Sequence, residues 1–259
     1  LQRELSHRLV LSWGGREVTS VAGVDVSVKA GRARAAIVVL SYPDLEPIEA
    51  VTAETDAVFP YVPGLLTFRE GPVILAAWEN LKARPDLLLF DGQGIAHPRG
   101  MGLATHMGLW LDLPSIGVAK SRLYGVHESP GPNRGDTADL LDEVDPELVI
   151  GAVLRTRTNV KPVFVSPGHR IDAARATGFT LACCTRYRLP ETTRWAHRVA
   201  GGGSLPGNTS VGPDRPRRSR DDLDDARPVA WRRHATKKET AGEEPHSRPR
   251  GIEGRNLQV

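Results

Sequence analysis

The 259-residue chain carries 34 basic and 31 acidic side chains, a formal charge of +3. That length suits one domain of about 200 residues with an appendage. The near-balance excludes a protein that holds nucleic acid by bulk attraction alone, so any such site must be a local basic groove.

The first 200 residues hold as many acids as bases, and the excess lies beyond them. From Gly201 the sequence turns to "GGGSLPGNTS" and "DRPRRSRDDLDDARP", then to a tract of Lys, Arg, Glu and Pro. Such a segment buries too little apolar area to offset its ordering entropy. The expected division is a domain over 1–200 and a low-complexity, disordered tail over 201–259. Cys183 and Cys184 are neighbours, a spacing that seldom reaches disulfide geometry, and both are expected to be reduced. With no secretory signal pattern and no apolar run of about 18 residues, the expectation is a cytoplasmic monomer without membrane contact.

Val24, Val26 and Val28 alternate with Asp25 and Ser27, which is the period of a strand. "ARAAIVVLSY" reads as a second strand ended by Pro43, and "EAVTAETDAV" as a third. A helix is expected over 71–84, where Leu75, Trp78 and Leu81 recur every three residues. "DLLLFDG" follows as a short apolar run, the pattern of a fully buried central strand. A helix near 101–112, strands in "SIGVAK", "ELVIGAVLR" and "KPVFVSPG", and helices near 172–187 and 191–199 complete the series. Three leading strands followed by alternating units give a mixed sheet flanked by helices, an α/β architecture of the ribonuclease H-like kind.

Asp25 interrupts an apolar strand, where an ionised carboxylate is costly unless it meets a cation or donors. The alternative is the wet face of an edge strand. Asp91 ends the run "LLLF" before "GQG", at the carboxyl end of a strand where open α/β sheets place their sites; a turn aspartate is the plainer choice. Glu70 closes "TFRE", which also fits a capping box begun by Thr67. Pro72 argues against that box, and a helix beginning later leaves Glu70 at the junction of loop and helix. Three carboxylates from a first strand, a first helix and a later strand can converge on Mg²⁺, a hard ion that favours oxygen ligands. That set suits phosphodiester hydrolysis, with Lys120 at the end of "SIGVAK" as the cation for the extra charge on phosphorus.

Six blocks in order, "VAGVDVSV", "PYVPGLLTFRE", "LLLFDGQGIAHPRGMGLATHMGL", "PSIGVAKSRLYG", "VFVSPGHRID" and "YRLPETTRWAH", resemble the endonuclease V family of deoxyinosine 3′ endonucleases. The resemblance spans about 3–199. It implies a deoxyribonuclease that recognises hypoxanthine in DNA and hydrolyses the second phosphodiester bond 3′ to it, with Mg²⁺ as cofactor and Mn²⁺ able to substitute. Inosine in RNA is the alternative substrate within the family, and a binding module without activity is the alternative outside it. By position, Asp25, Glu70 and Asp91 match the family's metal carboxylates and Lys120 its active-site lysine. His197 of "TRWAH" matches a fourth position, Asp in many members and His in others. Imidazole is a weaker Mg²⁺ partner than carboxylate, so His197 is expected to hold water, phosphate or a second, looser metal.

The resemblance gives "PYVPG", Pro60 to Gly64 with Tyr61 as the ring, the role of a wedge between bases. Proline at Pro60 and Pro63 stiffens such a loop. Val62, Gly64 and Leu66 are then expected beside the flipped base, since glycine lets main chain approach it closely. His97 and Arg99 of "GIAHPRGMG" are candidate substrate contacts. For His169, a phosphate contact and a structural hydrogen bond stay equally open, and Asp172 is expected to cap the following helix.

Overall fold

A computed structural model describes residues 1–205, and the segment from residue 206 onward, most of the expected tail, lies outside the described residues. A nine-stranded sheet organises the chain. Its strands are β1 (Ser20–Lys29), β2 (Arg32–Ser41), β3 (Pro47–Asp56), β4 (Leu87–Phe90), β5 (Ser115–Ala119), β6 (Val126–His127), β7 (Thr137–Leu141), β8 (Val149–Leu154) and β9 (Val163–His169), in the order β3-β2-β1-β4-β5-β9-β8-β7-β6. β1, β4 and β5 run parallel, and the other pairs are antiparallel. This is the expected mixed sheet, and β1 lies inside it. An edge-strand explanation for Asp25 is therefore excluded.

Alternation along the strands divides the core between two faces. Ala22, Val24, Leu88 and Phe90 face one side, covered by α2 (Leu66–Asn80) and α3 (Leu103–Leu111). Val21, Leu87 and Leu89 face the other, covered by α4 (Ala173–Ala182) and α5 (Glu191–Ala200). Leu205 joins that second layer at 5 % exposure. Asp172 caps α4 as expected, its carboxylate accepting from the Arg175 N–H at 2.9 Å. Cys183 and Cys184 are free, and burial pushes both thiols up to about 12, which keeps them unreactive. No helix among the described residues is long and apolar enough to cross a membrane.

Four elements differ from the sequence reading. α2 starts at Leu66, five residues before the expected Gly71, and Leu65 caps it with no side-chain bond, so the Thr67–Glu70 capping box does not form. Pro72 sits inside this helix with its ring toward solvent. The lost hydrogen bond is offset because Thr67, Gly71, Val73, Ile74 and Ala77 bury one face. The strand pair β6 and β7, and the short α1 (Gln2–Ser6), carry too weak a pattern to be expected from sequence.

α5 crosses β1 in close contact. A Cβ built on Gly23 would stand 2.0 Å from the Thr192 carbonyl oxygen and 2.2 Å from its carbon. Both are backbone atoms, so only glycine lets the helix sit there. Gly23→Ala is expected to cost about 1–3 kcal/mol by overpacking and to lower the thermal midpoint by roughly 2–12 °C. It should also lower activity by displacing His197 on the same helix. Calorimetry with a cleavage assay checks both.

Candidate metal centre and adjoining pocket

Parallel pairing of β1 with β4 sets Val24 beside Phe90, and the Asp91 N–H donates to the Val24 carbonyl at 3.2 Å. Asp25, midway along β1 where its pairing with β4 ends, and Asp91, just past the carboxyl end of β4, thus emerge side by side. Asp25 shares the face of Val21 and Gly23, under α5, and α5 brings His197 to it: Nδ1 lies 2.7 Å from the Asp25 carboxylate. One ligand atom from each of Asp25, Asp91 and His197 falls within 4.8 Å of the others. That spacing fits shared coordination of one ion.

Lys120 directly follows β5, and its ammonium pairs with the Asp91 carboxylate. Arg188, ahead of α5, holds the backbone there by donating to the Lys120 carbonyl at 2.8 Å and the Pro162 carbonyl at 2.7 Å. Glu70 stands in the second turn of α2, not at a loop junction, and is not one of the three grouped residues. It is nonetheless part of the same field. Burial, then the charge of Asp25, push its carboxyl up to about 8, against the opposing pull of Arg69 and with Asp91 adding to the rise. Asp25 is raised too, by burial first and Asp91 next, while His197 pulls it down. Carboxyl groups that resist ionising together are a site short of positive charge.

A stability test follows from the sign. Between about pH 4.5 and 8 the folded protein keeps a Glu70 proton that the unfolded chain gives up, so stability of the metal-free protein falls as pH rises across that window. With chelator present, the thermal midpoint is expected to be higher at pH 5 than at pH 8, and Glu70→Gln to flatten the difference. A midpoint independent of pH in both proteins would contradict the raised value.

Beside this cluster lies a cavity of about 300 Å³, whose lining includes Tyr61, Val62, Pro63, Gly64, Leu66, Asp91, Gln93, His97, Lys120 and Arg122. Asp91 and Lys120 belong to both the cluster and the cavity wall. The volume is at the small end for a ligand pocket. Tyr61 is 67 % exposed at the rim, and Pro60 is exposed outside the lining. His97 is only 3 % exposed and points its Nε2 at the Gly64 carbonyl, 3.0 Å away.

His169 is not brought to this place. It pairs with Ser115, at the far end of β5 from Lys120, and is buried with its ring between Asp112 at 3.3 Å and the Val10 N–H at 3.4 Å. The open choice for this residue falls to the structural bond. Gln93 was missed by sequence reading although it lines the cavity, with its side-chain N–H donating to the Ser121 carbonyl at 3.0 Å and its carbonyl oxygen buried without a partner. Its only signal was its place two residues after Asp91.

The family model for Endonuclease V matches residues 3–198. The chain belongs to the endonuclease V family. It is 56 % identical over 180 residues to the endonuclease V of Methanothrix thermoacetophila, covering 70 % of this chain and 79 % of that one. The Rippkaea orientalis endonuclease V is 49 % identical over 202 residues, 77 % and 87 % of the two chains. Among solved structures, the Streptomyces avermitilis endonuclease V superposes with a TM-score of 0.73 at 45 % identity, over 78 % of this chain and 89 % of that one. The Ciona intestinalis endonuclease V, crystallised with a DNA containing an inosine followed by a ribo-adenosine, gives 0.68 at 28 % identity over 78 % and 93 %. As an endonuclease V the chain is an endonuclease, and its ribonuclease H-like sheet is that of the family.

Proposed function

We propose that this endonuclease V recognises hypoxanthine in DNA and hydrolyses the second phosphodiester bond on its 3′ side, leaving a 3′ hydroxyl and a 5′ phosphate. One observation carries the reading: a base-sized cavity shares Asp91 and Lys120 with the carboxylate cluster. The inosine-bearing DNA of the Ciona relative supports the same substrate.

Asp25, Asp91 and Glu70 suit Mg²⁺, with Mn²⁺ able to replace it, because their raised or clustered carboxyl groups are hard donors short of a cation. A divalent ion bound there supplies a Lewis acid for the phosphate and acidifies the attacking water. The residues do the rest. His197, 69 % exposed, can carry a proton between solvent and Asp25 or hold a phosphate oxygen. Lys120 Nζ can turn from Asp91 toward the charge growing on phosphorus. In the cavity, Leu66 and Thr67 open α2, so their N–H groups have no carbonyl within the helix to bond. An N–H there donates to the carbonyl of hypoxanthine and rejects the amine of adenine, since an unpaired donor facing a donor is costly.

The decisive experiment presents matched DNA and RNA strands, with and without inosine, under Mg²⁺ and under Mn²⁺, and maps each cut by end labelling. Cutting one nucleotide beyond inosine's own 3′ bond is the expected result. A cut at the lesion's own bond, or equal cutting without inosine, sinks the proposal; preferred cutting of RNA moves it to the ribonuclease reading. Turnover of a soluble phosphate ester in place of any strand would assign a small-molecule phosphohydrolase.

A further inference from the structure

The Gly64 carbonyl is unusually crowded with donors. Gln2 Nε2 lies 3.1 Å from it, His97 Nε2 3.0 Å and Arg99 Nη2 2.8 Å. A carbonyl oxygen has two lone pairs, so three donors, one of them charged, hold it firmly. The donors also hold one another. Gln2 Nε2 reaches the Met101 carbonyl at 3.1 Å, and Arg99 Nε donates to Gln2 Oε1. His97 Nδ1 receives the backbone N–H groups of Arg99 at 3.1 Å and Met101 at 3.4 Å, which leaves the ring proton on Nε2, facing Gly64. Gln2 is 6 % exposed and comes from α1, so a short helix at one end of the domain is anchored to a loop more than sixty residues away.

What the carbonyl belongs to matters. Val62, Pro63, Gly64 and Leu65 form a turn closed by the Leu65 N–H on the Val62 carbonyl at 2.9 Å, with Gly64 at φ 78°. Proline second and a left-handed glycine third make this a type II turn. The turn stands between the exposed Tyr61 ring and the first N–H groups of α2. Rotating the Gly64–Leu65 peptide, to which this carbonyl belongs, would disturb both. A Cβ on Gly64 would also lie 2.9 Å from Arg99 Nη2 and 3.2 Å from His97 Nε2, so the donors fill the space beside the glycine.

We propose that Gln2, His97 and Arg99 are positioning residues, a brace on the Gly64 carbonyl that fixes the 62–65 turn and, through it, the base discrimination of the adjoining pocket. This rests on the base-reading role given to that pocket above. His97 and Arg99 then act on the protein's own backbone and not on the substrate.

The test uses the full chain and two variants. Gln2→Ala removes the contacts. Gln2→Glu keeps the size and the Arg99 contact but sets carboxylate oxygen against the Gly64 and Met101 carbonyls. Hydrogen exchange of the Leu65 amide is measured in the free protein, and kcat and KM on matched duplexes carrying one inosine or one adenine. Expected in both variants are Leu65 exchange faster by about tenfold, the worth of one net hydrogen bond, and a similar fall in the preference for inosine, carried mainly by KM. Sheet amides should keep their wild-type rates. Leu65 exchange unchanged in both variants overturns the brace, and fast exchange with full inosine preference overturns its link to base reading. Exchange raised evenly over the sheet, with a uniform loss of rate, reduces Gln2 to a folding role and overturns the proposal. If the wild-type enzyme itself does not prefer inosine, the base-reading function fails, and Leu65 exchange alone still decides whether the brace exists.

Discussion

Replacing Asp91 with alanine is expected to lower cleavage of an inosine-containing duplex by about a thousandfold or more, the scale on which removing one transition-state stabiliser acts. Asp91 has two partners to lose. It contributes an oxygen to the cluster with Asp25 and His197, and it holds the Lys120 ammonium. Its charge is also a cause of the raised carboxyl groups of Asp25 and Glu70, so both should ionise more easily in the variant. The metal-free variant should therefore be more stable than wild type at neutral pH, while stabilisation by added Mg²⁺ is lost. Thermal melts with and without Mg²⁺ check this pairing of effects, and Asp91→Asn, which keeps the volume, separates charge from shape. Unchanged cleavage in Asp91→Ala would remove the metal centre from the mechanism.

Tyr61→Ala should act on recognition and leave metal binding alone. The ring is 67 % exposed at the rim of the cavity, so its loss disturbs no packing and the thermal midpoint should hold. Stacking of a base on an aromatic ring is worth about 1–3 kcal/mol, which corresponds to a loss of roughly 5- to 150-fold in binding. A wedge also helps extrude the base, which costs a few kcal/mol in a duplex and less in a single strand. The fall in kcat/KM should therefore be larger on duplex than on single-stranded inosine substrate. Equal loss on both, or an equal loss of Mg²⁺ affinity, would count against the wedge.

The legible parts of the site were those where a polar residue broke a local pattern. Asp25 interrupts alternating valines, and Asp91 closes a run of four buried residues, so strand and carboxylate were visible together. Glu70 was placed on the right segment but in the wrong local structure, because Pro72 suggested a later start and burial of the α2 face overrode it. β7 escaped because Leu140 is its only buried side chain, with Thr137 and Asp139 open to solvent. The brace on Gly64 left no trace in sequence. Its donors sit 62, 33 and 35 positions from their acceptor, and long-range polar contacts have no periodicity to detect. The loop behind Asp91 offers His97 as a substrate contact, while the ring is turned toward the protein's own main chain.

The meeting of α5 with β1 has a temporal side. Asp25 and His197 are 172 positions apart, so closing the centre requires bringing together nearly the two ends of the domain, and such non-local contacts form late because chain closure precedes any gain from contact. During synthesis, β1 and β4 can pair and place both aspartates well before residues 191–200 are available. Until then the sheet face carrying Val21 and Leu89 has no α5 over it. An unfinished chain thus has its acidic pair without its histidine, and nuclease activity becomes a property that the domain acquires last.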